Sequence, residues 1–139
     1  MHRIAVCALL LVLAGCAATA GPPLPQTIED PPPAEWRAKL AAHVKATFKD
    51  PASIRDAAIA AAPVPEIVPA QLQHTLRPRW VVCFAANAKN GFGGYNGLTV
   101  YQATFRDGQV LAVHPARDMG PACNGVALQP FPEINGAGV

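Results

Sequence analysis

The sequence predicts an α+β domain: an N-terminal amphipathic helix packed on a small antiparallel sheet of three or four strands, set after a cleaved leader and a flexible tether. Three observations lead there. Trp36, Leu40, Val44 and Phe48 recur at steps of four within AEWRAKLAAHVKATFK, the spacing of one helix face. RWVVCFAAN, residues 79–87, is apolar on both of its alternating faces, as a central strand requires. Residues 98–106 and 109–114 alternate on either side of Asp107-Gly108, a dipeptide that favours a tight type I′ hairpin.

The N-terminus reads as an address. Met1-His2-Arg3 is a short basic start, residues 4–13 an apolar run of ten, and Ala14-Gly15 a small-residue exit, the three parts of a secretory signal. A membrane-spanning helix needs about 20 apolar residues, and this run stops at half that length before Gly15 and a Pro-rich stretch. LAGC, residues 13–16, resembles the lipobox of bacterial lipoproteins, in which the cysteine thiol receives a diacylglycerol and the leader is removed on its N-terminal side. The resemblance implies residues 1–15 as signal peptide and Cys16 as the lipidated first residue. With Ala17 rather than Asp behind the cysteine, it further implies an outer-membrane anchor facing the periplasm. Two or three acyl chains hold a protein on its membrane where a single one holds it only marginally. The competing reading is a soluble periplasmic protein cut after Ala18-Thr19-Ala20.

Residues 16–33 then form the tether, rich in proline and small residues, with a reach of roughly 50 Å if fully extended. One domain occupies residues 34–139, about 100 residues for a single small core. The chain carries a net charge of +2 with 14% charged residues, and Lys45, Lys49, Arg55, Arg77, Arg79 and Lys89 are dispersed. No basic stripe marks a nucleic-acid partner.

The helix is expected over residues 34–49, with Pro33 suiting its first turn, Glu35 complementing its positive start, and Lys45 and Lys49 its negative end. Its narrow apolar stripe lies beside strand-like sequence that needs a cover, which favours a core-facing helix over a membrane-surface one. Asp50-Pro51 stops it, because the residue before proline is pushed out of the α region, and Asp50 is placed to cap a short turn beginning at Pro51. Alanine-rich residues 54–60 are compatible with strand or helix, and a short strand after the turn is the reading adopted. Residues 63–78 hold four prolines and read as a surface excursion. In the strand that follows, Trp80, Val82, Phe84 and Ala86 share one face, and Val81, Cys83 and Ala85 the other. Counting back from Asp107-Gly108 pairs Phe105 with Val110, Ala103 with Ala112 and Tyr101 with His114 on one face. The helix should dock there and on the Trp80 face.

Cys7 falls in the leader and Cys16 takes the lipid, leaving Cys83 and Cys123. In an oxidising compartment these read as a disulfide, with a buried thiol at Cys83 as the alternative. No Cys-x-x-Cys is present, and neither His74 nor His114 stands at a recognisable spacing from Cys83 or at a ligand-like spacing from the other histidines. Asp56, Glu66, Asp107, Asp118 and His114 form no acid–base set. No catalytic residue, metal or cofactor is therefore assigned.

NAKNGFGGYNG, residues 87–97, is the most distinctive stretch, with four glycines and three asparagines between two strands. Such residues let the backbone turn tightly or approach a ligand, but the Gly-Lys-Ser/Thr ending of a phosphate loop is missing. Either Phe92 and Tyr95 fold back on the domain, or they present aromatic faces to an envelope protein or glycan, with Lys89, Asn90 and Asn96 as polar handles.

FKDPASIR followed by VCFAANAKNGFGGYNG, within residues 48–98, resembles a group of small, functionally uncharacterised proteins exported by proteobacteria, many of them described only by a lipoprotein-type leader. In that group a Lys-Asp-Pro-x-Ser element precedes a strand ending in Val-Cys-Gly, an Asn-Ala-Lys-Asn and a Gly-Gly-Tyr-x-Gly loop. Phe84 stands where the group often has Gly, which argues against an open, reactive turn at Cys83. No activity comes with the resemblance. It implies that Asp50, Pro51, Ser53, Cys83, Asn87, Asn90, Gly94, Tyr95 and Gly97 form one structural unit. The functional expectation is a membrane-anchored, non-enzymatic binding module of the cell envelope, with a small periplasmic inhibitor of an envelope hydrolase or protease as the alternative.

Overall fold

The computed structural model describes residues 32–66, 79–118 and 121–136. The expected leader, Cys16, the expected tether as far as Pro31 and residues 67–78 of the Pro-rich stretch lie outside these. Among the described residues one α-helix, α1 (Trp36–Thr47), packs on a six-stranded antiparallel sheet. None of their helices is long and apolar enough to cross a membrane.

The helix is two residues shorter at each end than its sequence pattern predicts. Glu35 adopts a left-handed φ of 56° and makes no side-chain cap, so it precedes the first turn rather than supplying an acid to it. The Pro33 carbonyl accepts from the Trp36 N–H at 3.3 Å at this entry. At the other end Phe48 is extended, which places Lys49 past the helix and leaves Lys45 in the last turn. Leu40 and Val44 are fully buried, with Trp36 and Phe48 packed partly buried on the same core. Each such aliphatic side chain contributes roughly 1.5–3 kcal/mol by leaving water.

A 3₁₀ turn, Pro51–Ser53, follows, and the Asp50 backbone oxygen, not its carboxylate, closes it by accepting from the Ser53 N–H and hydroxyl at 3.1 and 2.7 Å. The strands are β1 (Arg55–Ala60), β2 (Val64–Pro65), β3 (Trp80–Asn87), β4 (Thr99–Arg106), β5 (Gln109–Pro115) and β6 (Leu128–Pro130), in the order β5-β4-β3-β1-β6. β2 pairs with Trp80 and Val81, the end of β3 that β1 leaves open. Six strands correct the expected three or four. The additional ones are short, proline-bearing β2 and β6, too brief to show a period of their own.

β3 is central, and Val81 to Asn87 are all buried. Val82, Phe84 and Ala86 face α1 in the larger core, while Val81 and Cys83 face the opposite side with Ala60, Ala116 and Cys123. Cys83 and Cys123 stand at disulfide distance, Sγ to Sγ 2.06 Å, pinning the turn Pro121–Cys123 across this second face. Asp107 and Gly108 at φ 50° and 72° make the hairpin turn, as a type I′ geometry requires. The predicted register holds at Phe105–Val110 and then slips, so that Ala103 faces Val113 and Tyr101 faces Pro115. An extra residue in β5 is the cause. A strict alternation would turn His114 toward the helix side, and the bulge brings Val113 there instead, leaving His114 exposed.

The C-terminal segment closes the helix side. Phe131 and Ile134 are fully buried, and the Phe131 ring meets Phe84 edge-on at 6.3 Å. Arg37 holds this segment to α1, ion-paired with Glu133, donating to the Pro130 carbonyl at 2.6 Å and lying over the Phe131 ring. Gly136 lies so tightly on the 3₁₀ turn that a Cβ there would stand 1.8 Å from the Ala52 carbonyl oxygen.

Candidate functional site

The loop from Asn87 to Gly97 joins β3 to β4, and its shape follows from one side chain. The Asn90 Oδ1 accepts from the Phe92 N–H at 2.9 Å and the Gly94 N–H at 3.2 Å, while its Nδ2 donates to the Asn96 Oδ1 at 2.8 Å. The Asn90 backbone adds a turn, its carbonyl accepting from Gly93 at 3.0 Å and its N–H donating to the Gly94 carbonyl at 2.8 Å. Lys89 and Tyr95 pair as an isolated bridge beneath the turn. Gly93, at φ +82°, takes a conformation that a side chain would strain.

A second set of contacts fastens the loop to the domain. The Ser53 Oγ accepts from the Lys89 N–H at 3.0 Å, and the Tyr95 hydroxyl donates to the Ser53 carbonyl at 3.0 Å. The Arg55 guanidinium covers the Tyr95 ring at 3.7 Å, with the Lys89 ammonium at 5.7 Å. Such cation–π contacts are worth about 0.5–1 kcal/mol where exposed. With its amide oriented to satisfy both neighbours, Asn87 accepts from Arg55 Nε and donates to the Gly97 carbonyl, each at 3.2 Å. Arg55 reaches this position through a bulge in β1, where Asp56 takes a φ of 56°.

The two aromatics of the loop therefore part company. Tyr95 is folded back and 36% exposed, whereas Phe92 stands at the turn's tip, 100% exposed. Asn90 and Asn96 spend amide groups on each other. The segment around Ser53, Asn87, Asn90, Gly94, Tyr95 and Gly97 gathers at one end of the sheet, while Cys83 lies on the far face with Cys123. Ser53 was legible as part of the Asp-Pro-Ala-Ser element. Arg55 was not, because nothing in the sequence marks the bulge that aims it.

The titratable residues considered for chemistry are scattered. Glu66 grips Arg79 through both carboxylate oxygens, at 2.6 and 2.7 Å, and holds that guanidinium above its ordinary pKa. Asp107 lies in the hairpin turn, Asp118 lies beside Arg117, and His114 is exposed on β5. Among the described residues no three His, Cys, Asp or Glu side chains gather where they could hold a metal ion. No family model matches the chain, and no curated protein or solved structure shows significant similarity to it.

Proposed function

We propose that this protein is a lipid-anchored, non-enzymatic binding module of a bacterial cell envelope, tethered through Cys16 to the outer membrane and facing the periplasm. Its loop docks a protein or glycan partner through Phe92. The observation that carries the docking surface is the contrast between a fully exposed phenyl ring and the hydrogen-bonded loop beneath it. A large apolar side chain on a preorganised support binds with little ordering entropy to offset. The lipobox-like LAGC and the Pro-rich stretch behind it support the anchor.

A photoreactive phenylalanine analogue at position 92, irradiated in native membranes, tests the docking surface. A discrete adduct that disappears when Tyr95→Ala loosens the loop supports it, and no adduct beyond that seen at an exposed control such as position 111 sinks it. Intact mass from those membranes tests the anchor. A chain starting at Cys16 with three acyl chains is expected, and a lipid-free chain starting further on refutes it. The protruding loop also fits the alternative of a small inhibitor of an envelope hydrolase or protease, for which inhibition of lysozymes or periplasmic proteases must be lost in Phe92→Ala.

A further inference from the structure

Beside the loop, and separate from Phe92, lies a groove of about 330 Å³ between the end of α1 and the start of β4. Its volume is at the small end of the range of roughly 300–1,000 Å³ that holds organic ligands. Phe48 and Tyr101 supply its aromatic surface, their rings 5.2 Å apart and Tyr101 stacked in turn on buried Phe84. That support is fixed by the core. Lys49 and Lys89 line the walls, and among the described residues neither ammonium has a carboxylate or hydrogen-bond partner, the Lys89 ammonium standing 5.7 Å from the centre of the Tyr95 ring. Lys49 extends toward the loop, its Nζ lying 2.9 Å from where a Cβ on Gly91 would be. Further polar capacity is free: Asn96 uses its Oδ1 for Asn90 and keeps its amide N–H groups, and the Thr99 hydroxyl has no partner among the described residues. Asp50 is the one acid on the wall, so two positive charges stand against one negative.

We propose that this groove binds an oxyanion, a carboxylate or phosphate carried on a small organic body. Lys49 and Lys89 hold the charge, Asn96 and Thr99 donate to its oxygens, and the ring surface of Phe48 and Tyr101 takes the body. Ammoniums without a carboxylate partner, beside neutral donors, suit an anion, whose hydrogen bonds to charged donors are the stronger kind. A neutral sugar would leave the wall's net positive charge unanswered. The site depends neither on the lipid anchor nor on Phe92, and it stands if either of those fails.

The test is titration of the purified protein with phenyl phosphate and with benzoate, followed by amide chemical shifts, with benzamide as the neutral probe. Shifts confined to residues 48–50, 89–91 and 96–101 are expected with the anions and not with benzamide. Lys49→Gln combined with Lys89→Gln should weaken binding at least tenfold, with the melting temperature lowered by no more than about 8 °C through loss of the Lys89–Tyr95 contact. Asp50→Asn should tighten it a few-fold, an outcome that a structural role for Asp50 does not predict. Vesicles of phosphatidylglycerol against phosphatidylcholine separate the sources: groove shifts with the former assign the anion to a lipid headgroup, and shifts with the soluble probes alone assign it to a diffusible molecule. Shifts elsewhere, equal response to benzamide, or affinity unchanged in the double variant overturns the proposal.

Discussion

Replacing Cys83 and Cys123 together by alanine tests how the second face of the sheet is held. The bridge spans 40 residues, and the enclosed stretch contains β4 and β5. On the chain-entropy model, closing a loop of this length removes about 4 kcal/mol of freedom from the unfolded chain. Both cysteines are buried among Ala60, Val81 and Ala116, so the alanines remain in apolar surroundings and leave only small voids. The expected loss is therefore about 4 kcal/mol, a large part of the roughly 5–15 kcal/mol that a domain of this size carries. For about 100 residues that corresponds to a fall in melting temperature of roughly 15–30 °C. Urea unfolding of the wild type, the reduced wild type and the double variant measures it, with the slope of the transition checked in each. The reduced protein should resemble the variant. A variant within about 1 kcal/mol of the oxidised protein, at equal slope, would refute the reasoning.

Gly136→Ala forces a Cβ against the Ala52 carbonyl and should cost more than about 2 kcal/mol, whereas Gly125→Ala, at φ +70° in open space, should cost about 1 kcal/mol of backbone strain; equal losses in urea would remove the steric argument. The Arg37 guanidinium holds the Glu133 carboxyl below the ordinary carboxylate pKa. Its stabilisation is present above the unfolded-state value near 4.5 and is lost as pH falls through the lower folded value. Glu133→Gln should flatten that acid limb of the stability curve by no more than about 1 kcal/mol, since the pair is partly solvated, and an unchanged limb would count against the pairing. Phe92→Ala should leave unfolding within about 0.5 kcal/mol of the wild type, while Tyr95→Ala should speed amide exchange across residues 89–97 without a comparable change in global stability. Loop exchange equally fast in both variants would show that Tyr95 does not fasten the loop.

Legibility in the sequence followed the strength of each periodic signal. The helix stripe, the two-faced run of β3 and the Asp-Gly turn each place a long apolar set in one register, and a packed core allows those sets few alternatives. Where the predicted register failed, the deciding residue was single. One extra residue in β5 exchanges His114 for Val113 on the helix side, and alternation alone holds no record of it. β2 and β6 are stabilised by neighbours distant in sequence, so their two and three residues gave no local pattern. The loop was legible as a loop from its glycines and asparagines, but the different fates of Phe92 and Tyr95 were not. They depend on Ser53 and Arg55, which arrive from the 3₁₀ turn before β1 and from the first residue of that strand.

That difference bears on what the loop is for. A two-residue turn suffices to join adjacent antiparallel strands, yet residues 88–98 intervene between β3 and β4. A connection kept only for length would stay loose, because each ordered residue costs roughly 1–2 kcal/mol of backbone entropy. Here part of that cost is offset by bonds directed at single atoms: Asn90 to its own turn, the Tyr95 hydroxyl to Ser53, and Arg55 over the ring. None of them involves the Phe92 side chain, which gains nothing from the fold it crowns. The apolar area of Phe92 stays in water, and a partner that covered it would meet a loop already ordered by these contacts. Its contribution to stability can be near zero while its contribution to binding is large, and that separation makes the two measurable apart.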